Sequence, residues 1–244
     1  MNHASPVIPV PSATLLLLRQ RAEMEVLMVK RGSDATFGSA HVFPGGKMDA
    51  SDISPEWRPH IEGDEGLTEI ERGLRIAGWR EIFEETGLLP HAFADVAQDD
   101  RKEMPYQDVI IRSGMRLPLH HLHLAARWIT PTFMKQRFDT WFFLCALDGA
   151  EAIWDGFEIV DAEWISPAAA LAKGQSGEFK LPFPTRSELQ RLAQSNTVDT
   201  AIAATKTRQI MVIEPRHERH GDKVRITIPP DAGYDVWETW MDAG

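Results

Sequence analysis

The amino-acid sequence predicts an α/β fold in which a mixed β-sheet is sandwiched between helices. Short apolar runs typical of strands recur along the chain and are interleaved with only a few helical segments. One segment, residues 67–86, is long and carries apolar residues at helical spacing. The length of 244 residues and the hydrophobic content of 43% suffice for one such domain with additions.

Strands are predicted where apolar, β-branched and aromatic residues are bounded by polar turns. They lie at residues 13–18, 25–30, 41–43, 125–130, 139–147 and 161–165. We expect the third strand to end in a glycine turn at Pro44-Gly45-Gly46. The single cysteine, Cys145, lies in the apolar run of the fifth strand, so we expect it to be buried and without an intrachain disulfide.

The helix predicted at residues 67–86 ends at Gly87, a residue typical of helix C-termini. Shorter helices are predicted at 167–173, 186–194 and 197–204, followed by a hairpin built from 209–214 and 223–228. We expect Trp237 and Trp240 to pack on the core or on a partner. We assign residues 1–185 to the main domain and 186–244 to a C-terminal extension packed on that domain.

Residues 53–66, between the glycine turn and the long helix, form a predicted insertion. The segment is acidic and is interrupted by prolines and glycines, so we expect it to be exposed, with at most a short helix near residues 55–60. Its anchors would be Ile53, Trp57 and Ile61. Two interpretations remain open: a passive surface loop, or a rim over the active site that selects substrates.

The charge balance restricts the partners. The chain has 26 Lys and Arg against 36 Asp and Glu, a net charge of −10, which disfavours binding of free nucleic acid. A polyphosphate ligand is still compatible, because metal ions can invert the field locally. No apolar run reaches membrane-spanning length and no signal peptide pattern is found, so we expect no membrane and a cytoplasmic location. The oligomeric state stays open, with a homodimer among the options.

Three glutamates near the end of the long helix share one face, because Glu81 precedes Glu84 and Glu85 by one helical turn. Their mutual repulsion and the helix dipole both oppose this placement. A solvated acidic helix end would explain the glutamates taken alone. The glycine turn upstream, which lets the backbone approach a metal or phosphate, favours a divalent-metal site.

Residues 80–88, Arg-Glu-Ile-Phe-Glu-Glu-Thr-Gly-Leu, resemble the second half of the Nudix hydrolase signature, and Gly46 matches its first glycine. Two features depart from it. Asp52 stands where the signature has a glutamate that holds the loop against the helix, and the next gap is 27 residues, 53–79, instead of seven. Such an insertion resembles the branch of peroxisomal coenzyme A diphosphatases, as do segments 128–131 and 137–140. The resemblance implies the Nudix α/β/α sandwich.

The resemblance also implies roles for individual residues. Arg80, Glu81, Glu84 and Glu85 would be catalytic, with Arg80 orienting a carboxylate. Metal ligands would be Gly45 through its carbonyl, Glu81, Glu84, Glu85 and Glu158. Candidates for phosphate contacts are Arg31, Lys47 and Arg137. The alternatives are an exposed loop acid at Glu158, a solvated strand end at Arg31 and a structural partner of Asp139 at Arg137.

The resemblance implies Mg²⁺- or Mn²⁺-dependent hydrolysis of a diphosphate bond in a nucleoside diphosphate linked to another moiety, with Glu81 or Glu85 as the base. The favoured small-molecule substrate is coenzyme A or an acyl-CoA. Alternatives are ADP-ribose, nucleotide sugars or dinucleoside polyphosphates. A non-catalytic Nudix-like ligand sensor is disfavoured because all three carboxylates are present. The pattern His120-His121-x-His123 admits a zinc interpretation, which lacks a cysteine partner.

Overall fold

The computed structural model describes residues 7–33, 38–90, 104–147, 152, 154, 156 and 158–242. Its centre is an eight-stranded mixed sheet with strand order β10-β7-β8-β1-β2-β3, in which β4 also pairs with β1 and β9 with β2. The strands are β1 (Val10–Gln20), β2 (Met24–Arg31), β3 (His41–Val42), β4 (Gly45–Lys47), β5 (Ile61–Glu62), β6 (Leu117–Pro118), β7 (His123–Ile129), β8 (Phe138–Ala146), β9 (Ile159–Ile165), β10 (Val212–Ile213), β11 (Arg216–His220), β12 (Lys223–Thr227) and β13 (Glu238–Asp242).

Helices cover both faces of the sheet, which confirms the predicted α/β class. They are α1 (Glu69–Thr86), α2 (Tyr106–Ser113), α3 (Pro167–Ser176), α4 (Phe183–Leu192) and α5 (Val198–Thr207). In the described ranges, short 3₁₀ helices lie at Ala50–Ile53, Pro55–His60 and Leu119–His121. Among the described residues, no helix combines the length and apolarity needed to cross a membrane.

The central strand β1 is buried on both faces, which explains its nearly continuous leucine run. Leu15 and Leu17 face a core that contains residues of α1 and α2, whereas Leu16 and Leu18 face a second core built with α3, α4 and α5. Strand β8 runs parallel to β1 and alternates in the same way. Its Cys145 is 1% exposed, as predicted.

The catalytic-helix candidate α1 has well-defined ends. It begins two residues later than predicted, after Thr68, whose side chain and backbone form a capping box with Glu71. It ends at Gly87, which adopts a left-handed conformation with φ of 67° and donates its N–H to the Phe83 carbonyl. The predicted stop is therefore confirmed.

Two predicted features are wrong. Gly45–Lys47 is not a free turn but strand β4, which pairs antiparallel with β1 and places Gly46 opposite Ala13. The C-terminal hairpin joins β11 to β12, while Val212–Ile213 instead adds to the main sheet beside β7. Strand β13 was not predicted. Trp237, just before it, is 40% exposed and Trp240, within it, is 47% exposed, so neither packs in the core, and their packing on a partner stays a prediction.

The insertion is less exposed than predicted, because two of its residues are buried against the rest of the chain. Trp57 and Ile61 are 2% and 1% exposed in the core beside α1, as the anchor prediction requires. The Trp57 indole N–H also donates to the Ser51 carbonyl at 2.9 Å. Ile61 pairs with Leu117 in the short parallel ladder of β5 and β6. The insertion is therefore folded and is anchored to the core through Trp57 and Ile61.

Candidate active site

The C-terminal half of α1 packs on β4, and this contact brings Glu81 onto Gly46. A Cβ atom at position 46 would overlap the Glu81 carboxylate. A side chain at this position would therefore displace the Glu81 carboxylate, which gives the first glycine of the sequence motif a physical reason. The Glu81 side chain is 17% exposed, so its carboxylate is only partly open to solvent.

Glu85 is held by groups from two other strands. The backbone N–H of Gly45 donates to its Oε2 at 2.9 Å, and Arg31 Nη1 donates to its Oε1 at 3.3 Å. Arg31 also donates through Nη2 to Glu158 Oε1 at 2.5 Å. Arg31 thus joins the buried Glu85 to the exposed Glu158, two acids predicted to belong to the same site.

Arg80 connects the acids on the other side of the cluster. Its Nη1 donates to Glu81 Oε1 and Glu84 Oε2, each at 2.9 Å. Its Nε and Nη2 donate to the two Asp52 oxygens at 3.0 and 3.1 Å. Asp52 also accepts the Asp49 N–H at 2.8 Å, so the shorter acid does hold this loop against α1.

Burial dominates the electrostatics of the carboxylates. It raises the pKa of Glu81 to about 7, with the charges of Glu84 and Glu158 acting in the same direction and Arg80 opposing. It raises the pKa of Glu85 to about 8, opposed by Arg31 and reinforced by Glu81 and Glu158. The pKa of Glu84 is also raised, again chiefly by burial. The site therefore concentrates negative charge that a cation would relieve.

The donor set fits a hard divalent cation. Carboxylate oxygens are the ligands that Mg²⁺ and Mn²⁺ prefer, and Gly46 allows the Glu81 carboxylate to lie against the backbone of β4. Within the part of the chain that the structure describes, no three acidic, imidazole or thiol side chains converge as a ready-made metal cage. Arg31 and Arg80 hold the carboxylates instead, so a cation would have to replace some of these ion pairs.

Two predicted phosphate contacts do not reach this cluster. Alternate residues of a strand face opposite sides, so Lys47 points away from the face of Gly46, and its Nζ lies 5.9 Å from the Phe138 ring centroid. Only its carbonyl takes part, accepting from Arg80 at 2.8 Å. Arg137 is 6% exposed, and its guanidinium is bonded elsewhere, to the carbonyls of Val7 and Thr130 and to Glu214.

The predicted alternative for Arg137, a pairing with Asp139, is also wrong. Asp139 instead accepts two hydrogen bonds from Arg127, at 2.8 and 2.6 Å. The Arg127 guanidinium lies 4.7 Å from the Trp141 ring centroid, on the face of the sheet that α1 covers. This arrangement was not predicted from the sequence. Alternation along β8 does place Asp139, Trp141 and Phe143 on one face of the sheet, but the sequence does not show what packs on that face.

Comparisons with known proteins identify similar sequences. No protein-family profile matches the chain. It is 28% identical over 228 residues to an acyl-coenzyme A diphosphatase of Xenopus laevis, covering 70% of this chain and 60% of the relative. It is 30% identical over 203 residues to putative nudix hydrolase 7 of Caenorhabditis elegans, covering 75% and 60%. The chain thus spans about 60% of the length of these curated relatives.

The fold also matches a solved structure. The crystal structure of a NUDIX hydrolase from Alicyclobacillus acidocaldarius superimposes with a TM-score of 0.68 and 26% sequence identity. The match covers 81% of this chain and 96% of that one.

Proposed function

The chain belongs to the Nudix hydrolase superfamily, and from this we propose that it hydrolyses the diphosphate bond of coenzyme A or an acyl-CoA. The observation that carries the proposal is the carboxylate cluster of Glu81, Glu84 and Glu85 beside Gly46. The substrate is suggested by the curated relatives from Xenopus laevis and Homo sapiens, both named acyl-coenzyme A diphosphatases. The products would be 3′,5′-ADP and a phosphopantetheine fragment.

Residues suited to hold Mg²⁺ or Mn²⁺ are Glu81, Glu84, Glu85, Glu158 and the Gly45 carbonyl. When bound, such an ion supplies charge neutralisation of the diphosphate and lowers the pKa of a coordinated water. Arg80 orients Glu81 and Glu84 by donating to one oxygen of each. Arg31 donates to Glu85 and Glu158, and it could donate to a phosphate oxygen of the substrate in place of either carboxylate.

The proton acceptor in this proposal is Glu81. Gly45 and Arg31 occupy both oxygens of Glu85, whereas in the described residues Glu81 accepts through Oε1 alone. In the reaction, a water oxygen bonds to one phosphorus, its proton passes to the free Glu81 oxygen, and the bridging P–O bond breaks. The leaving phosphate takes the bonding electrons. Lys47 and Arg137 have no step in this scheme.

A substrate panel tests the proposal. Coenzyme A, acetyl-CoA, ADP-ribose, a nucleotide sugar and a dinucleoside polyphosphate would be incubated separately with Mg²⁺ and with Mn²⁺, and products identified by mass. We expect the highest kcat/KM for coenzyme A or acetyl-CoA. Preference for another substrate would move the assignment to that compound. Absence of hydrolysis in the whole panel would favour a non-catalytic ligand sensor.

Glu69→Gln is the matched control for Glu85→Gln, because both substitutions remove one carboxylate from the same helix. Glu69 is exposed in the first turn of α1, whereas Glu85 is 4% exposed in the cluster. Only the second substitution should abolish the activity of the folded protein. Equal activities would assign the hydrolysis to a contaminant or to another site.

A further inference from the structure

A second polar site lies beside the N-terminal half of α1. It is a pocket of about 290 Å³ between the insertion, the start of β7 and the end of α5. Its charged and titratable lining residues are Arg75, His120, His123 and Lys206, and the Thr205 side chain adds a hydroxyl. No acidic side chain lines it in the described part of the chain. This local excess of cations stands against a net charge of −10 for the whole protein.

Arg75 is the deepest of these cations. It is 9% exposed, and its guanidinium lies 4.8 Å from the Phe143 ring centroid. Its one hydrogen bond among the described residues goes from Nη1 to the backbone carbonyl of Glu71, at 3.1 Å. No described carboxylate forms an ion pair with it. Burial lowers the pKa of Arg75, and the charge of Glu71 opposes this effect only in part, so an anion in the pocket would stabilise the cation.

The insertion places His120 at the pocket. Gly63 has a φ of 69°, and a Cβ atom there would overlap the His120 ring. Arg116 donates two hydrogen bonds to the Ile61 carbonyl, at 2.9 and 2.6 Å, and so fixes the insertion against the segment that carries the histidine. The folded insertion is therefore a wall of this pocket.

His123 contributes a donor without adding charge. Burial lowers its pKa, and the nearby cations Lys206 and Arg75, together with His121 and His120, lower it further. It is therefore neutral at pH 7, with one ring N–H available as a donor. The pocket combines two permanent cations with two imidazoles.

The nearest acids are engaged elsewhere. Glu71 accepts from the Thr68 N–H and hydroxyl at 2.8 and 2.7 Å, in the capping box of α1. Asp64 lies 3.6 Å from Arg72. Glu62 acts on the pKa of His121, which is outside the pocket lining. Of the three, only Glu71 acts electrostatically on Arg75, and Glu71 is not among the residues that line the pocket.

We propose that this pocket binds a phosphate group, with Arg75 and Lys206 supplying the charge and His120 and His123 supplying N–H donors. Two cations match a phosphate dianion, whereas a single carboxylate would leave one cation unpaired. The phosphate is either free in solution or a terminal phosphomonoester of the substrate. The second source rests on the proposed function.

The position along α1 is compatible with a substrate phosphate. Arg75 precedes Glu81 and Glu85 by six and ten residues, and a rise of 1.5 Å per residue separates them by roughly 9 and 15 Å along the axis. Coenzyme A carries a diphosphate and, on the ribose of the same nucleotide, a phosphomonoester. A rotation of roughly 100° per residue also places Arg75 about 120° around α1 from Glu81 and about 80° from Glu85. A molecule that presents the first group to the carboxylates would therefore reach the pocket with the second only by passing around the helix.

Binding of inorganic phosphate to the full chain tests the pocket directly. The titration would use isothermal calorimetry with EDTA present, so that bound metal cannot recruit phosphate, and chloride at equal ionic strength as reference. We expect wild type and the control Lys223→Ala to bind equally, and Lys206→Ala to bind roughly tenfold more weakly, which corresponds to about 1.4 kcal/mol. Lys206 and Lys223 are both exposed, so both variants should fold. Absence of phosphate binding in wild type, or equal binding by Lys206→Ala, overturns the proposal.

A kinetic experiment identifies the source of the phosphate. It compares kcat/KM for coenzyme A with that for dephospho-coenzyme A, which lacks the phosphomonoester. If the substrate supplies the phosphate, the ratio of the two values falls about tenfold in Lys206→Ala and is unchanged in Lys223→Ala. An unchanged ratio together with weakened phosphate binding assigns the pocket to free phosphate. If wild type hydrolyses neither compound, the proposed function fails while the phosphate titration still decides the pocket.

Discussion

Asp52 accepts hydrogen bonds from Arg80 through both of its oxygens, and this pair joins the loop after β4 to the middle of the catalytic-helix candidate. Asp52 is 1% exposed, and its partner also holds Glu81 and Glu84. The geometry of the carboxylate cluster therefore depends on an acid outside it.

Asp52→Ala should destabilise the fold and lower activity together. The substitution removes two buried hydrogen bonds from Arg80, whose charge stays paired with Glu81 and Glu84, and this loss costs about 2 kcal/mol. Urea denaturation gives the free energy of unfolding, and kcat is measured in the same preparations. Asp49→Ala is the control, because the Asp49 side chain is 67% exposed and 3.8 Å from Arg80. A loss below 1 kcal/mol for Asp52→Ala, or equal losses in both variants, would contradict this role.

Glu84→Gln and Glu85→Gln should each lower kcat roughly a hundredfold or more and leave the fold intact. The reason is that each removes one charge needed to hold a divalent cation. Turnover is measured together with the melting temperature, with Glu69→Gln as the control on the same helix. Full turnover in folded Glu84→Gln and Glu85→Gln would reject these residues as metal ligands.

Without metal, the protein should lose stability as the pH rises from about 5 to 8. The pKa of Glu81 is raised from 4.5 to about 7 and that of Glu85 to about 8, so the folded state binds more protons than the unfolded state in this window. Their stabilising contribution is complete below the unfolded pKa and is lost as the pH passes the folded values.

The measurement is the melting temperature against pH in EDTA for wild type and Glu81→Gln/Glu85→Gln. Other titrating groups are common to both proteins and cancel in the difference. We expect a steeper fall in wild type. Parallel curves would mean that the two carboxyls titrate normally.

Mg²⁺ or Mn²⁺ should raise the melting temperature of wild type at pH 8, because a ligand that binds only the folded state stabilises it by mass action. The same titration of Glu81→Gln/Glu85→Gln should give little change. If both proteins respond identically, the cations bind outside the cluster.

Trp57→Ala should cost about 3 kcal/mol or more of unfolding free energy. The side chain is 2% exposed, its ring centroid lies 5.9 Å from that of Tyr106, and its N–H is bonded to Ser51. Trp240→Ala, at a site 47% exposed, serves as the matched truncation and should cost much less. Similar losses from both would show that the insertion is not anchored through Trp57.

Local patterns in the sequence predicted the parts of the structure that local forces determine. Helix α1 and its stop at Gly87 follow from periodicity and capping, and the three glutamates share a face because of helical spacing. The leucine run of β1 likewise predicts a buried strand. These features require no knowledge of distant residues.

Pairing between distant segments was not predictable in this way. Lys47 faces away from the cluster only because β4 pairs with β1 in one particular register. Arg137 meets Glu214, 77 positions away, and Arg75 meets Lys206 at a pocket that no local pattern indicates. The histidines at 120–123 were noticed in the sequence, but their chemistry depends on cations from other elements.

The pairing of β10 with β7 has a consequence for how the chain can be divided. Val212 and Ile213 cover one side of β7, and Trp128 of β7 donates to Glu188 of α4, which also accepts from Tyr234. A protein cut after residue 185 would expose an open sheet edge and a bare apolar face. Such surfaces template the association of chains. We therefore expect the shortened chain to aggregate. In this view, residues 186–244 prevent self-association by covering the edge and the apolar face of the main sheet.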